Sequence, residues 1–439
     1  MRGAPGPHLS RLLRAEPHEL PALGWAFAYF FLLLAAYYVL RPVRDTMAVQ
    51  TGAAGLQWLF AATFLAMLAL VPLYGWLCAR LPRARFLPLV YAFFILNLFC
   101  FWGALASDVP TGRIAPVFFV WLSVFNLFAV SVFWSLMADL FDQAQAARLF
   151  GAISAGGSCG AIAGPALTAS AAAALGTASL LLCAALLLAF ALYFNLRLLA
   201  WGRKYPRQGE PPADEAIGGS VLAGLRAAFS SPYLLGICAW LFCYTVLSTS
   251  LYFQQIEIVG RAFPEAIERT RFFAVTDLAV NSIALIVQLT LTARLAALLG
   301  TGWMLALMPA ASLVGFAALG AAPTLAVLLA VGITRRAGEF AISKPVREAL
   351  YTVAPREERY KAKSFIDTVV YRGGDAFSGW AFGALRSAGL GLSGVAWAAL
   401  PVAAAWLAVS FWLGRKQGQL RGEKAGSVPA TKIKTREVP

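Results

Sequence analysis

Uninterrupted apolar runs of transmembrane length recur along the whole chain. Residues 180–192 are one example, and they show no alternation of apolar and polar positions. Only 13% of the residues are charged, whereas about 25% is typical of soluble domains. A helix needs about 20 mostly apolar residues to cross a bilayer. The chain is therefore predicted to be an all-α polytopic membrane protein, and a soluble enzyme, a coiled coil and a transmembrane β-barrel are excluded.

Twelve apolar segments are predicted as spans, and they form two groups of six. We predict an N-terminal half with a short cytoplasmic arm at 1–199, a cytoplasmic linker at 200–231 with a short helix at 221–229, a C-terminal half at 232–414 and a basic tail at 415–439. The predicted spans, numbered in chain order, are residues 22–48, 57–78, 86–106, 114–137, 150–174, 178–199, 232–254, 272–293, 303–322, 324–350, 363–385 and 392–413.

The positions of lysine and arginine predict the orientation. The net charge is +15, and in a membrane protein such an excess collects in cytoplasmic loops rather than pointing to nucleic acid. The loop after span 2 holds Arg80, Arg83 and Arg85, residues 356–363 hold four basic side chains, and the loops after spans 5 and 9 hold none. We predict an inner-membrane protein with both termini in the cytoplasm. The predicted external loop 255–271 disagrees, since it holds three arginines balanced by three glutamates.

The sequence shows no motif for a metal, a cofactor or an enzymatic reaction. Its six cysteines lie in or beside apolar runs, and none pairs as CxxC. The glycines of span 5 lack the GK[ST] ending of a phosphate-binding loop and predict close packing between helices instead. We expect no cofactor and no metal. The expected partners are the lipid bilayer and a small anionic substrate, with the chain as a monomer.

One short motif occurs twice. Residues 41–45 read Arg-Pro-Val-Arg-Asp, and residues 344–348 read Lys-Pro-Val-Arg-Glu. The two copies end spans 1 and 10, which are equivalent in folds of the major facilitator type, built from three-helix repeats of alternating orientation. The repeat predicts that architecture, with the copies at opposite mouths of one cavity. The alternative is that both copies are solvated helix ends.

Charged residues inside spans need a partner or water, because a buried charge there costs about 2.5–3.5 kcal/mol on insertion scales. Guanidinium groups bind carboxylate or phosphate oxygens bidentately, and the candidates for binding an anion are Arg41, Arg44, Arg335 and Arg336. Asp45, Glu339 and Glu348 are expected to hold these arginines in the empty protein. Candidates for gating or charge pairing are Asp45, Glu339, Lys344, Arg347, Glu348, Arg372 and Asp375, and candidates for a proton site are Asp277 and Asp367. Mutual neutralisation within single helices is the alternative.

Several of these segments resemble a known family. LRPVRD at 40–45, KPVREALYTVAP at 344–355 and KAKSFIDTVVYRGGD at 361–375 are similar to segments of the bacterial and plastid ATP/ADP translocases. Phe133-Trp134 and the Arg-Leu-Phe-Gly run at 148–151 resemble that family's turn between spans 4 and 5. The family is a divergent branch of the major facilitator superfamily, so the resemblance implies that fold and nucleotide exchange.

The chain departs from the family's pattern at three positions. Leu122 stands where the family carries a glutamate, and Glu339 and Asp375 stand where it carries lysines. We therefore predict a secondary active transporter of an organic anion, with nucleotide exchange as the activity that the resemblance implies. One alternative is a proton-coupled carrier of another small solute. Another is a membrane scaffold that moves nothing, whose buried charges are mutually paired and whose centre is filled by side chains.

Overall fold

The computed structural model describes residues 16–80, 83–107, 109–205, 229, 231–353, 362, 363 and 365–426. These residues form helices and contain no strand, so the predicted all-α fold class is confirmed. The α-helices in this part of the chain are α1 (Leu20–Arg80), α2 (Arg83–Ala106), α3 (Thr111–Leu140), α4 (Gln143–Lys204), α5 (Pro232–Ala262), α6 (Ala266–Thr290), α7 (Thr292–Ala321), α8 (Leu325–Gly338), α9 (Lys344–Leu350), α10 (Tyr371–Ser387) and α11 (Leu392–Gly426).

Two of these helices each contain a pair of predicted spans. Gly52 in α1 has φ 69° and Gly176 in α4 has φ 74°, values that glycine adopts readily because it lacks a Cβ. Each glycine therefore ends one helical segment and begins the next. Within the described residues, nine helical segments are long and apolar enough to cross a membrane, with Gln143–Lys204 counted as one segment. The exact count of twelve spans stays a prediction.

The structure changes some of the predicted boundaries. The loop predicted at 255–271 is short, because α5 continues to Ala262 and α6 begins at Ala266. Its charged residues therefore lie on helix ends. Most of the predicted linker at 200–231, including its short helix, lies outside the described residues. The predicted tail begins within α11, which continues to Gly426.

The glycines of span 5 pack against α1. A Cβ added at Gly156, Gly160 or Gly164 would collide with the backbone of α1 at Phe27, Phe31 or Ala35. Only residues without a side chain allow this close approach, and the structure thus confirms that these glycines serve helix packing. The contact holds α1, which carries the first copy of the repeated motif, tightly against α4.

A polar cluster fixes the first turn of α1 to the start of α4. Arg148 donates hydrogen bonds to both carboxylate oxygens of Glu19, over 3.0 and 3.2 Å, and Gln145 donates another over 2.9 Å. Burial opposes the charged form of Glu19. The backbone N–H of Glu16 and the side chains of Arg148 and Gln145 outweigh that effect, and the pKa of the Glu19 carboxyl is lowered.

Candidate functional site

A cavity of about 240 Å³ lies among α1, α3, α5, α8 and α10. Six cations and three carboxylates line it, so its wall carries a net positive charge. The charged lining residues are Arg41, Arg44, Arg335, Arg336, Lys344, Arg372, Asp45, Glu339 and Asp375. The structure thus brings all four predicted anion-binding arginines into one wall.

The charges of the first motif lie inside a helix rather than at its end. Helix α1 continues through Pro42 to Gly52, and the side chains of Arg41 and Arg44 are 17% and 12% exposed. The solvated-end alternative is therefore wrong for this copy. Arg44 donates from Nε and Nη2 to Oδ1 of Asp45, over 2.9 and 2.6 Å. Its guanidinium also lies over the ring of Phe119, 5.0 Å from the centroid.

Two hydrogen bonds join α1 to helices of the C-terminal part of the chain. The hydroxyl of Tyr252 in α5 donates to Oδ1 of Asp45 over 2.8 Å. The hydroxyls of Thr46 and Thr270 lie 2.8 Å apart and join α1 to α6. We call this end of the cavity the Gly52 mouth, since Gly52 follows these residues along α1.

Asp277 of α6 holds two of the four arginines. Its Oδ1 lies 2.5 Å from Nη2 of Arg336 and 3.6 Å from Nη1 of Arg41. The carboxylate is buried and contacts two cations. Its role as a proton site stays a prediction.

A π-helix shapes the wall that follows α8. Residues Glu339–Ser343 form one π turn, in which the N–H of Lys344 donates to the carbonyl of Glu339. Such single turns add a residue to a helix and are frequent at functional sites. Here the turn places Glu339 and Lys344 together in the lining of the cavity. Glu339 is 7% exposed and forms no ion pair among the described residues.

Arg335 is a buried cation of the wall that has no counter-ion among the described residues. Its side chain is buried, with the residue 4% exposed, and Nε and Nη1 have no hydrogen-bond partner. It forms no ion pair with any residue in the described part of the chain. Its guanidinium lies 5.1 Å from the ring centroid of Tyr244. A buried charge without a counter-ion is unfavourable, so this position favours the entry of an anion.

The second copy of the motif is divided between the cavity and a separate cluster. Lys344 lines the cavity, whereas Arg347 lies 3.7 Å from Asp367. Glu348 was expected to pair with one of the four arginines. It pairs instead with Lys363, over 2.5 Å. These partners belong to the same part of the chain as the motif itself. The expectation that each copy closes against the other half therefore holds only for the first copy in this conformation.

The remaining predicted pair lies in α10. Nη1 of Arg372 is 3.5 Å from Oδ2 of Asp375, whose Oδ1 accepts a hydrogen bond from Thr249 over 2.7 Å. Both charged residues line the cavity. Asp375 therefore has one ion-pair partner and one neutral donor in the part of the chain that the structure describes.

The sequence analysis does not predict several residues that line the cavity. Tyr244, Ser248 and Tyr252 of α5 line the cavity at intervals of four residues. This spacing places three hydroxyls on one face of a helix, and it is visible in the sequence. Phe60 and Phe119 also line the cavity, and no pattern in the sequence distinguishes them from the other phenylalanines.

Two other features fit a ligand less well. A depression of about 480 Å³ is lined by Arg261 and Arg386, but both arginines already pair with Glu257. Glu16, His18 and Glu19 lie close enough together to hold a metal ion. However, the oxygens of Glu19 already accept hydrogen bonds from Arg148 and Gln145. Neither feature has the unpaired buried cation that the central cavity offers.

Comparisons with known proteins agree with the helical architecture. A family model described as Major Facilitator Superfamily matches residues 26–334. Among similar solved structures, a bacterial homologue of the iron transporter ferroportin has a TM-score of 0.63 at 13% identity, with 90% of this chain and 98% of that chain covered. A nucleoside transporter has a TM-score of 0.61 at 13% identity, with 91% and 99% covered.

A third similar structure is a bacterial homologue of the human lysosomal transporter Spinster, in an inward-facing and unoccupied conformation. Its TM-score is 0.61 at 16% identity, and 92% of this chain and 99% of that chain are covered. At such identities the likeness shows the fold alone. No curated protein sequence matches the chain.

Proposed function

The chain belongs to the Major Facilitator Superfamily, and from this premise we propose that it is a secondary active transporter that moves an organic anion across the inner membrane by alternating access. The family match and the likeness to transporters support the general activity. The choice of an anion depends on the charges of the cavity. Two six-helix halves that move about a central site are part of the proposal.

Arg335 is the observation that carries the choice of an anion. Four of the six cavity cations, Arg41, Arg44, Arg336 and Arg372, lie beside a carboxylate. Lys344 and Arg335 each have only an aromatic ring beside them, and of these two Lys344 is exposed whereas Arg335 is buried. Its unsatisfied Nε and Nη1 are hydrogen-bond donors in a buried position. A carboxylate or phosphate group would supply both the missing acceptor and the missing charge.

The scaffold alternative predicts mutually paired charges and a filled centre. The cavity of about 240 Å³ and the unpaired Arg335 count against it. The same volume bears on the substrate, because pockets for drug-sized ligands are about 300–1,000 Å³. A small carboxylate or phosphate fits this conformation, whereas a nucleotide requires a wider one. Nucleotide exchange remains the specific activity that the ATP/ADP translocase resemblance implies.

Closure at the Gly52 mouth supports alternating access. Asp45 forms a hydrogen bond with α5, and Thr46 forms one with α6. The side chain of Val49 packs against Gly260, and the rings of Phe60 and Phe253 are in contact. Hydrogen bonds and side-chain contacts of this kind can break and re-form as the mouth opens and closes. We propose that this mouth faces outward and that both chain termini are cytoplasmic.

A topology reporter tests the orientation. Fused within residues 200–209, it is expected to score cytoplasmic, and fused within 107–112 it is expected to score external. The reverse pattern would contradict the proposed orientation, without bearing on the anion.

Transport by the reconstituted full chain tests the function. Proteoliposomes preloaded with unlabelled ADP or succinate are expected to take up the same labelled anion, and Arg335→Gln is expected to abolish the uptake. Arg294→Gln, an exposed arginine outside the cavity, is the matched control and is expected to retain it. If wild-type protein takes up neither anion, or if Arg335→Gln transports normally, the proposed function is wrong.

Coupling is tested in the same vesicles. Exchange requires the counter-anion inside and survives a protonophore, whereas net proton-driven uptake stops when the gradient is removed. Loss of uptake on adding protonophore, with the counter-anion present, would contradict exchange and favour the proton-coupled alternative.

A further inference from the structure

We propose that Gln288 is a positioning residue of the anion site. It holds the π turn Glu339–Ser343 in place, and the π turn directs Lys344 into the cavity as a second cation for a dianion. The inference rests on the proposed function and narrows its substrate class to compact dianions, such as dicarboxylates and phosphate monoesters. Its basis is a hydrogen bond from the side chain of Gln288 in α6 to the carbonyl of Phe340, over 2.9 Å.

The π turn changes the direction of the side chains that follow it. An α-helix turns by about 100° per residue, so Arg335 and Lys344, which are nine residues apart, would lie on opposite faces of a regular helix. The π turn accommodates one extra residue, and the two side chains then differ in direction by only about 80°. Both line the same cavity in the structure, as this geometry requires.

Lys344 is a cation without a counter-ion. The residue is exposed, it forms no ion pair with any residue that the structure describes, and its ammonium lies 4.5 Å from the ring centroid of Phe340. Six cations and three carboxylates line the cavity, and Asp277, outside the lining, offsets one further cation. The two positive charges that remain match a dianion, with one anionic group at Arg335 and the other at Lys344.

The π turn leaves the carbonyl of Phe340 without a backbone donor. In an α-helix this carbonyl accepts from the N–H of Lys344, but here that N–H donates to the carbonyl of Glu339. In a π pattern the donor is residue 345, which is a proline and has no N–H. An unpaired carbonyl is unfavourable within a membrane span. The amide of Gln288 supplies the missing donor.

Gln288 therefore decides between two registers of the helix. Without its amide, the π turn keeps an unpaired carbonyl at Phe340, whereas a regular α turn pairs that carbonyl with the N–H of Lys344. The α turn is then favoured, and it rotates Lys344 by about 100° away from the cavity. The bond from Gln288 thus controls the wall of the cavity without contacting the anion.

Other carbonyls that lose a donor to proline also meet side chains of α6 and α7. The carbonyl of Ala161 precedes Pro165 by four residues, and it accepts from Asn281 of α6 over 2.8 Å. The carbonyl of Ala341 stands in the same relation to residue 345, and the hydroxyl of Thr292 in α7 lies 2.9 Å from it. The contact at Phe340 is thus one of several that complete the backbone bonding of spans interrupted by proline.

Binding of succinate and of butyrate by the detergent-solubilised full chain tests the inference. Both anions have four carbons, and only succinate has a second carboxylate. At a pH at which both are fully ionised, wild type is expected to bind succinate at least about tenfold more tightly, because Lys344 adds a charged hydrogen bond. Lys344→Gln and Gln288→Leu are each expected to lose most of this preference and to keep their affinity for butyrate.

Gln417→Leu is the matched control. The amide of Gln417 also donates to a carbonyl of this part of the chain, that of Ala349 over 2.8 Å, but Ala349 lies beyond the π turn. Loss of this bond is expected to lower the Tm without changing the preference for succinate. A purely structural role of Gln288 would give the same result as this control.

Deletion of Ala341 tests the register itself. It removes the extra residue, so Lys344 follows Arg335 by eight positions of a regular α-helix and still faces the cavity. In the Gln288→Leu background, the deletion is expected to restore the preference for succinate. Failure to restore it in a folded protein contradicts the proposed register.

The outcomes separate the inference from the proposed function. Wild type that binds succinate no better than butyrate overturns the inference and leaves the proposed function intact, and so does a preference that survives in Lys344→Gln or in Gln288→Leu. If wild type binds neither succinate nor ADP, the proposed function fails and the inference fails with it. Gln288 is exposed, so Gln288→Leu decides the question even if Lys344→Gln does not fold.

Discussion

The hydroxyl of Tyr252 in α5 donates to Oδ1 of Asp45 in α1, over 2.8 Å. The bond joins parts of the chain that are 207 residues apart. Asp45 also neutralises Arg44, so one carboxylate serves both the charge of the cavity wall and the closure of the Gly52 mouth. If the proposed function is correct, closure and anion binding are linked at this residue.

Removal of that hydroxyl is expected to open the Gly52 mouth. In a cysteine-free background, Tyr252→Phe should increase the labelling of Val49→Cys, because a net hydrogen bond contributes about 0.5–1.5 kcal/mol and fewer contacts then oppose opening. Tyr233→Phe is the control, since its hydroxyl bonds the carbonyl of Leu350 away from this mouth. Equal labelling of both variants would contradict the role of Tyr252.

Arg335→Lys is expected to weaken anion binding while keeping the charge. A lysine ammonium is a point charge and cannot present the planar fork that binds a carboxylate bidentately. The loss of a charged hydrogen bond, about 1.5–3 kcal/mol, corresponds to an affinity lower by about tenfold to a hundredfold. Binding of succinate measured by calorimetry checks the prediction, and unchanged affinity would exclude a bidentate contact at Arg335.

Asp277→Asn is expected to destabilise the protein and to make it more dependent on its anion. The substitution leaves Arg41 and Arg336 without their shared counter-ion. Breaking a fully buried pair costs about 3–5 kcal/mol, and the cost here is smaller because the two arginine side chains are 17% and 20% exposed. A lower Tm is expected, with a larger increase on adding succinate than in wild type. A Tm equal to that of wild type would show that Asp277 does not neutralise these arginines.

The two copies of the repeated motif are expected to bias the conformation in opposite directions. Arg44→Ala weakens the Asp45 cluster at the Gly52 mouth, and Arg347→Ala releases Asp367 from its ion pair. Both should lower exchange strongly in a protein that still folds. Labelling of Val49→Cys and of Thr352→Cys, at the two ends, should change in opposite directions. The same change in both variants would refute the paired gate.

The Glu19 cluster is expected to make stability dependent on pH. The pKa of Glu19 is lowered in the folded chain, so its contribution is present above the ordinary glutamate pKa and is lost as the pH falls towards the lowered value. Wild type should therefore lose more Tm on acidification than Glu19→Gln. Glu16→Gln is the control, because Glu16 contributes only its backbone N–H to the cluster. Parallel acid profiles of all three proteins would contradict this role.

The sequence by itself determined the fold class and the identity of the charged residues in the wall. Long apolar runs leave helices as the way to satisfy the backbone in a bilayer, and charges inside such runs are too costly to be incidental. The repeated motif pointed to Arg41, Arg44 and Lys344, and all three line the cavity. These inferences needed only local pattern and the cost of burying charge.

Only the tertiary structure decided which charged side chains form ion pairs with each other. Asp277, considered as a proton site, lies between Arg41 and Arg336, and Glu348 meets Lys363 rather than an arginine of the wall. Arg335 and Glu339 have the spacing of a helical ion pair, yet neither forms an ion pair among the described residues. Spacing along one helix predicts which side chains are neighbours, but ion pairing depends on groups that other helices bring from distant parts of the chain. That competition depends on packing in three dimensions, and a linear sequence does not contain it in readable form.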